Sequence, residues 1–113
     1  MNGEEFEFAK WLDALPEVEC WVRNIDRNSQ YSFWLQTSSD KFYPDFIAKL
    51  TNGKYLVLEY KGEQLDNKDT EEKTKLGKMW ASLSDDVEYA TVFKSGEFDY
   101  KVVVKELIKK LGL

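Results

Sequence analysis

Residues 42–61, FYPDFIAKLTNGKYLVLEYK, constrain this chain more than any other stretch. They form two apolar runs around Thr51-Asn52-Gly53, with Asp45, Glu59 and Lys61 kept inside them. Asn-Gly predicts a tight hairpin, because both residues tolerate positive φ. Alternate side chains of a strand share a face, so Tyr55, Val57, Glu59 and Lys61 point one way and Leu56, Leu58 and Tyr60 the other. Both faces are apolar for most of the length, which predicts a central strand covered on each side. Counting outward from the turn brings Asp45 level with positions 59 to 61. Three charges from two strands then converge at one end of a sheet.

Gathering Asp45 and Glu59 within a few ångströms is unfavourable, because like charges repel and raise one pKa. A divalent cation removes that objection, and Mg²⁺ (or Mn²⁺) takes one or two carboxylates plus waters and phosphate oxygens. Lys61 can hold a water or a phosphate beside it. This is minimum equipment for metal-assisted phosphodiester hydrolysis. A structural reading competes: Glu-Tyr-Lys as a solvated, salt-bridging strand face and Asp45 as a turn residue after Pro44. The joint occurrence of the three charges in an otherwise apolar hairpin favours the chemical reading.

Composition narrows the chemistry further. The chain has no histidine, which excludes Ser-His-Asp and Cys-His nucleophile systems and any imidazole base or metal ligand. One cysteine, Cys20, excludes four-cysteine zinc and an internal disulfide, and suits a reducing cytoplasm. Within VECWV it reads as a small buried hydrophobe. Catalysis must therefore use carboxylates, lysine, tyrosine or an oxygen-ligated metal. No apolar run approaches the ~20 residues needed to cross a bilayer, and the acidic start MNGEEFEFAK is unlike a signal peptide. The net charge of −5 argues against a general nucleic-acid-coating surface but leaves room for a local basic groove. Lysines do gather at 68, 73, 75 and 78 and at 101, 105, 109 and 110; solvated helix faces explain most of them.

At 113 residues, without repeats or linkers, the chain reads as one domain. Phe8, Trp11, Leu12 and Leu15 predict a helix over 3–15, stopped by Pro16. VECWVRNI (18–25) and YSFWLQT (31–37) read as strands around a polar DRNSQ turn. Asp69 with Glu72 resembles a capping box, followed by a helical stripe of Leu76, Met79, Trp80 and Leu83. VEYATVF (87–93) is another strand, and 99–111 a last helix with Val103, Val104, Leu107, Ile108 and Leu111 on one side. The four tryptophans read as core residues in preference to base-stacking platforms. The order αβββαβα predicts an α/β (α+β) fold, a mixed sheet flanked by helices.

Tyr43-Pro44-Asp45-Phe46-Ile47, Asn52-Gly53 and Leu58-Glu59-Tyr60-Lys61-Gly62 resemble the PD-(D/E)XK nuclease motif. The flavour is that of the C-terminal nuclease-like domains of type III restriction subunits and related superfamily-2 helicase proteins. Glu5-Phe6-Glu7-Phe8-Ala9 resembles the family's helical "ExxFA" opening. Trp21-Val22-Arg23-Asn24 resembles its "WxRN" strand end, and Lys73 with Trp80 its "K…W" helix, so the resemblance spans nearly the whole chain.

The resemblance implies a restriction-endonuclease-like fold and a Mg²⁺-dependent deoxyribonuclease leaving a 5′-phosphate. Asp45, Glu59 and the Tyr60 carbonyl oxygen would bind the metal. Lys61 would orient or help deprotonate water and neutralise developing charge. It favours Glu5 as an extra metal or water ligand, whereas the helical stripe alone favours Glu4 equally; either acid also suits a helix N-terminus. Lys73, on the apolar side of its helix, could reach a phosphate or a site carboxylate, or simply extend a wet tip. Arg23, Asn24 and Gln64 are further candidates for backbone or substrate contacts. So small a domain implies recognition by a larger polypeptide or partner, such as a helicase, translocase or restriction subunit. An inactive nuclease-like module that binds DNA or protein, and an acidic interaction domain unrelated to nucleic acid, are the alternatives.

Overall fold

The computed structural model describes residues 3–24, 35–36, 41–42, 44–62 and 68–113, with main chain alone at 35–36, 41–42 and 68–70. The elements run α1 (Gly3–Asp13), β1 (Val18–Arg23), β2 (Leu35–Gln36), β3 (Lys41–Phe42), β4 (Phe46–Leu50), β5 (Tyr55–Tyr60), α2 (Lys68–Ala81), β6 (Val87–Val92) and α3 (Tyr100–Lys110). Four strands form a mixed sheet in the order β1-β4-β5-β6, and β2 pairs with β3 in a separate two-stranded ladder. The α+β class holds. YSFWLQT contributes only its Leu35-Gln36 to a described strand, and that strand belongs to the small ladder. The rest of that segment, with Trp34, and Gln64 lie outside the described residues.

β1 and β4 are antiparallel, as are β4 and β5, while β5 and β6 are parallel through α2. β5 is thus central, and five of its six residues are buried. Thr51–Gly53 close the β4–β5 hairpin. Gly53 takes the left-handed φ of 85° and donates its N–H to Leu50 O at 2.9 Å. This is the three-residue loop with glycine at its last position.

The two sheet faces bury different clusters. Leu56, Leu58, Tyr60, Phe46 and Ala48 pack under α1 and α3, against Phe8, Leu12, Tyr100, Val104 and Ile108. Phe8 lies at the centre, with the Tyr60 ring stacked at 5.2 Å and Phe46 and Tyr100 edge-on at 5.1 and 5.0 Å. Val57 and Tyr89 face the other way, with Ala81 of α2 and the half-buried Ile47, Leu76 and Trp80. Trp11 and Trp21 flank the first cluster. α3 starts at Asp99, whose Oδ1 accepts the Lys101 N–H at 2.8 Å.

Three expectations change. Cys20 is exposed, because β1 is an edge strand. Met79 and Leu83 are 62% and 83% exposed: Leu83 lies beyond the end of α2, and the helix turns Gly77 and Ala81 inward instead. Lys68 begins α2, which puts Asp69 inside the first turn and not at the N-cap. No helix among the described residues is long and apolar enough to cross a membrane.

Candidate carboxylate site

Pairing of Phe46 with Leu58 fixes the β4–β5 register, and one further step puts Asp45 opposite Glu59. Both side chains stand on the α2 face, because Phe46 and Leu58 occupy the α1 face and alternate strand residues share a face. Asp45 stands directly before β4, after the fully buried Pro44. Its Oδ2 accepts the Tyr60 N–H at 2.9 Å. Lys61 donates its own N–H to Val92 O on β6. In a trans peptide the preceding carbonyl points the opposite way, so Tyr60 C=O faces the Asp45 side.

Glu59 is 7% exposed, and its Oε1 meets no hydrogen-bond partner among the described residues. Burial pushes its carboxyl up to about 9, with the Asp45 charge and a hydrogen bond to Asp45 adding to the rise. Lys61 and Lys73 pull the other way. The Lys61 ammonium lies 3.8 Å from Glu59 Oε2. At neutral pH that contact is between an ammonium and a protonated carboxyl; it becomes an ion pair once the proton leaves.

Asn24 is buried and holds the start of β4 from behind. Its N–H donates to Asp45 O at 2.8 Å, and its side-chain amide donates to Pro44 O at 2.9 Å. It supports the main chain of Asp45 and does not face outward to a substrate. Arg23 lies over the Phe46 ring and pairs with Glu5 Oε2 at 2.9 Å. That ion pair joins α1 to β1 on the other side of the sheet from Asp45 and Glu59. Glu4, one position earlier, turns to the end of β5. A Cβ at Gly62 would lie 2.6 Å from Glu4 Oε2, and Gly62 has a φ of 65°. Lys94 Nζ lies 3.5 Å from Glu4 Oε1, while its main-chain N–H donates to Gly62 O at 2.7 Å.

The structure therefore brings Asp45, Glu59, Tyr60 and Lys61 together, with Lys73 close enough for its charge to act on Glu59, while Arg23 and Glu5 form their own contact. No three Asp, Glu or Cys side chains among the described residues make a ready cage for an ion. A two-carboxylate site with waters and phosphate oxygens does not need one. A cleft of about 340 Å³ lies on the other flank of α2, bounded by Thr74, Lys75, Thr91 and Leu107; Asp45 and Glu59 do not line it. The sequence offers Asn24 for backbone or substrate contacts, and the structure gives it the main chain of Pro44 and Asp45. Its signal was an amide side chain at the end of an apolar edge strand, where only the β1–β4 register reveals a partner.

Comparison with protein-family models, with curated proteins and with solved structures returned no match.

Proposed function

We propose that this chain is a divalent-metal-dependent phosphodiester hydrolase domain of PD-(D/E)XK type, with DNA as substrate. One observation carries the reading: a buried glutamate opposite an aspartate, with one carboxylate oxygen lacking a hydrogen-bond partner among the described residues. Such a pair needs either a proton or a cation between its members. The donor set suits a hard cation. Asp45 and Glu59 would hold Mg²⁺ or Mn²⁺, and the Tyr60 carbonyl oxygen faces the same side. Bound there, the ion would polarise a phosphate oxygen and acidify water.

The protein's own groups supply the rest. Lys61 is two residues from Glu59 on the same face, where it orients water and neutralises charge developing on phosphate. Lys73 approaches from α2. Asn24 keeps Asp45 in place. Sequence recognition is assigned to a larger helicase, translocase or restriction subunit, and the exposed, unpaired Cys20 fits a cytoplasmic setting. The inactive-module reading draws on the net charge of −5 and on the Glu5–Arg23 pair, which leaves two acids at the site among the described residues.

The test joins metal binding to cleavage. A crystal soaked in Mn²⁺ should show an anomalous peak between residues 45 and 59, absent in Asp45→Asn. DNA nicking in Mg²⁺ or Mn²⁺ should disappear in Asp45→Asn and Glu59→Gln. An empty dyad at millimolar Mn²⁺, or equal nicking by all three proteins, defeats the proposal. Metal binding and DNA binding without nicking, with the partner subunit present, favours the inactive module.

A further inference from the structure

α2 touches the sheet at two points beside the dyad. At Gly77 a Cβ would lie 2.5 Å from Cδ1 of the Tyr89 ring, so the helix comes this near only because residue 77 lacks one. About one turn earlier, Thr74 Oγ1 and Thr91 Oγ1 share a hydrogen bond of 2.7 Å. Thr91 Oγ1 also lies 3.3 Å from Tyr89 Oη. Thr91 is the register partner of Glu59 across the parallel β5–β6 pair. Lys73 directly precedes Thr74, and its charge acts on Glu59.

We infer that Thr74 and Thr91 are positioning residues for Lys73. Their hydrogen bond, together with the Gly77–Tyr89 contact, fixes both the height and the roll of α2, so that the Lys73 ammonium stands beside the carboxyl pair. A single contact would leave the helix a pivot; a second contact removes it. The root of a lysine needs fixing more than most, since its four-carbon stem is flexible. The consequence for turnover rests on the nuclease reading: a phosphate at the dyad would then meet Lys73 already in place. A merely structural role, a buried and a half-buried hydroxyl satisfying each other, predicts lost stability but no change in what Lys73 senses.

Lys73 ε-methylene resonances read the difference without metal or substrate. Neutralising the dyad with Asp45→Asn/Glu59→Gln should shift them in an otherwise wild-type chain and in a Thr91→Ser background, which keeps the hydroxyl. In a Thr91→Val background the shift should be lost. Thr74→Val removes the other hydroxyl and replaces Thr91→Val if that variant does not fold. Equal shifts in all backgrounds, or no shift in the otherwise wild-type chain, overturn the inference. Cleavage is scored separately: where the wild type cuts, Thr91→Val should lower kcat about tenfold at unchanged KM, and not at all in a Lys73→Met background. No cleavage by the wild type, with the resonance shift still lost in Thr91→Val, removes the nuclease reading and leaves the positioning role standing.

Discussion

Asp45, at the entry to β4, faces Glu59 on the antiparallel β5, and the Glu59 carboxyl is raised from 4.5 to about 9, first by burial and then by Asp45. The fold thus holds a proton where two ionised acids would repel. That single proton links stability, metal affinity and pH.

Stability should fall with rising pH through this group. The unfolded chain releases the Glu59 proton near 4.5, the folded protein near 9. Between those values the native state holds the extra proton, so raising pH favours unfolding by up to about 1.4 kcal/mol per unit and levels off above about 9. Glu59→Gln lacks this component. Urea denaturation in chelator from pH 5 to 9 should show the Gln variant gaining steadily on the wild type. A constant difference across that range contradicts a buried proton.

Metal binding should displace that proton. Titration calorimetry with Mn²⁺ in buffers of different ionisation enthalpy should register proton release near neutral pH, with affinity climbing as pH approaches 9. Glu59→Gln should bind Mn²⁺ weakly and release no proton. Proton release identical to wild type in that variant would place the ion elsewhere.

Lys61→Ala should separate turnover from metal binding. Removing a group that orients water and balances charge lowers kcat by about 10²- to 10⁴-fold, while the carboxylates keep their ion. The Glu59 carboxyl should rise further, because the Lys61 charge holds it down. Loss of Mn²⁺ affinity with kcat preserved would reverse the assigned role.

Asn24→Leu tests the support behind Asp45. It leaves Pro44 O, buried at the start of β4, without its donor, at about 1–3 kcal/mol. Mn²⁺ affinity should fall with it, measured on the folded variant at low temperature. Stability lost with affinity intact would confine Asn24 to the scaffold.

Much of this was legible in the hairpin itself. Alternation along 55–61 put Glu59 and Lys61 on one face, and the Asn-Gly turn brought Asp45 level with them. α2 was harder to read. Its close approach to Tyr89 is made at Gly77, which has no side chain to mark a period, so the apolar stripe ran on to the exposed Met79 and Leu83. α1 hid a different choice. Glu4 and Glu5 differ by about 100° around the helix axis, and only tertiary structure sends one to Gly62 and the other to Arg23. Asn24 was legible as a candidate for backbone contact, but its partners, the Pro44 and Asp45 carbonyls, emerge only when β1 and β4 are aligned.

Thr51–Gly53 sit at the far end of the hairpin from the acids, yet their number decides what the acids meet. Adding or deleting one residue there, with β5 held in place, would slide β4 by one position and exchange its two faces. Asp45 would then be driven among Phe8, Tyr60 and Tyr100, and Phe46 would be stranded beside Glu59. Loop length at one tip therefore sets the chemistry at the other, a dimension that no substitution at positions 45 or 59 could restore.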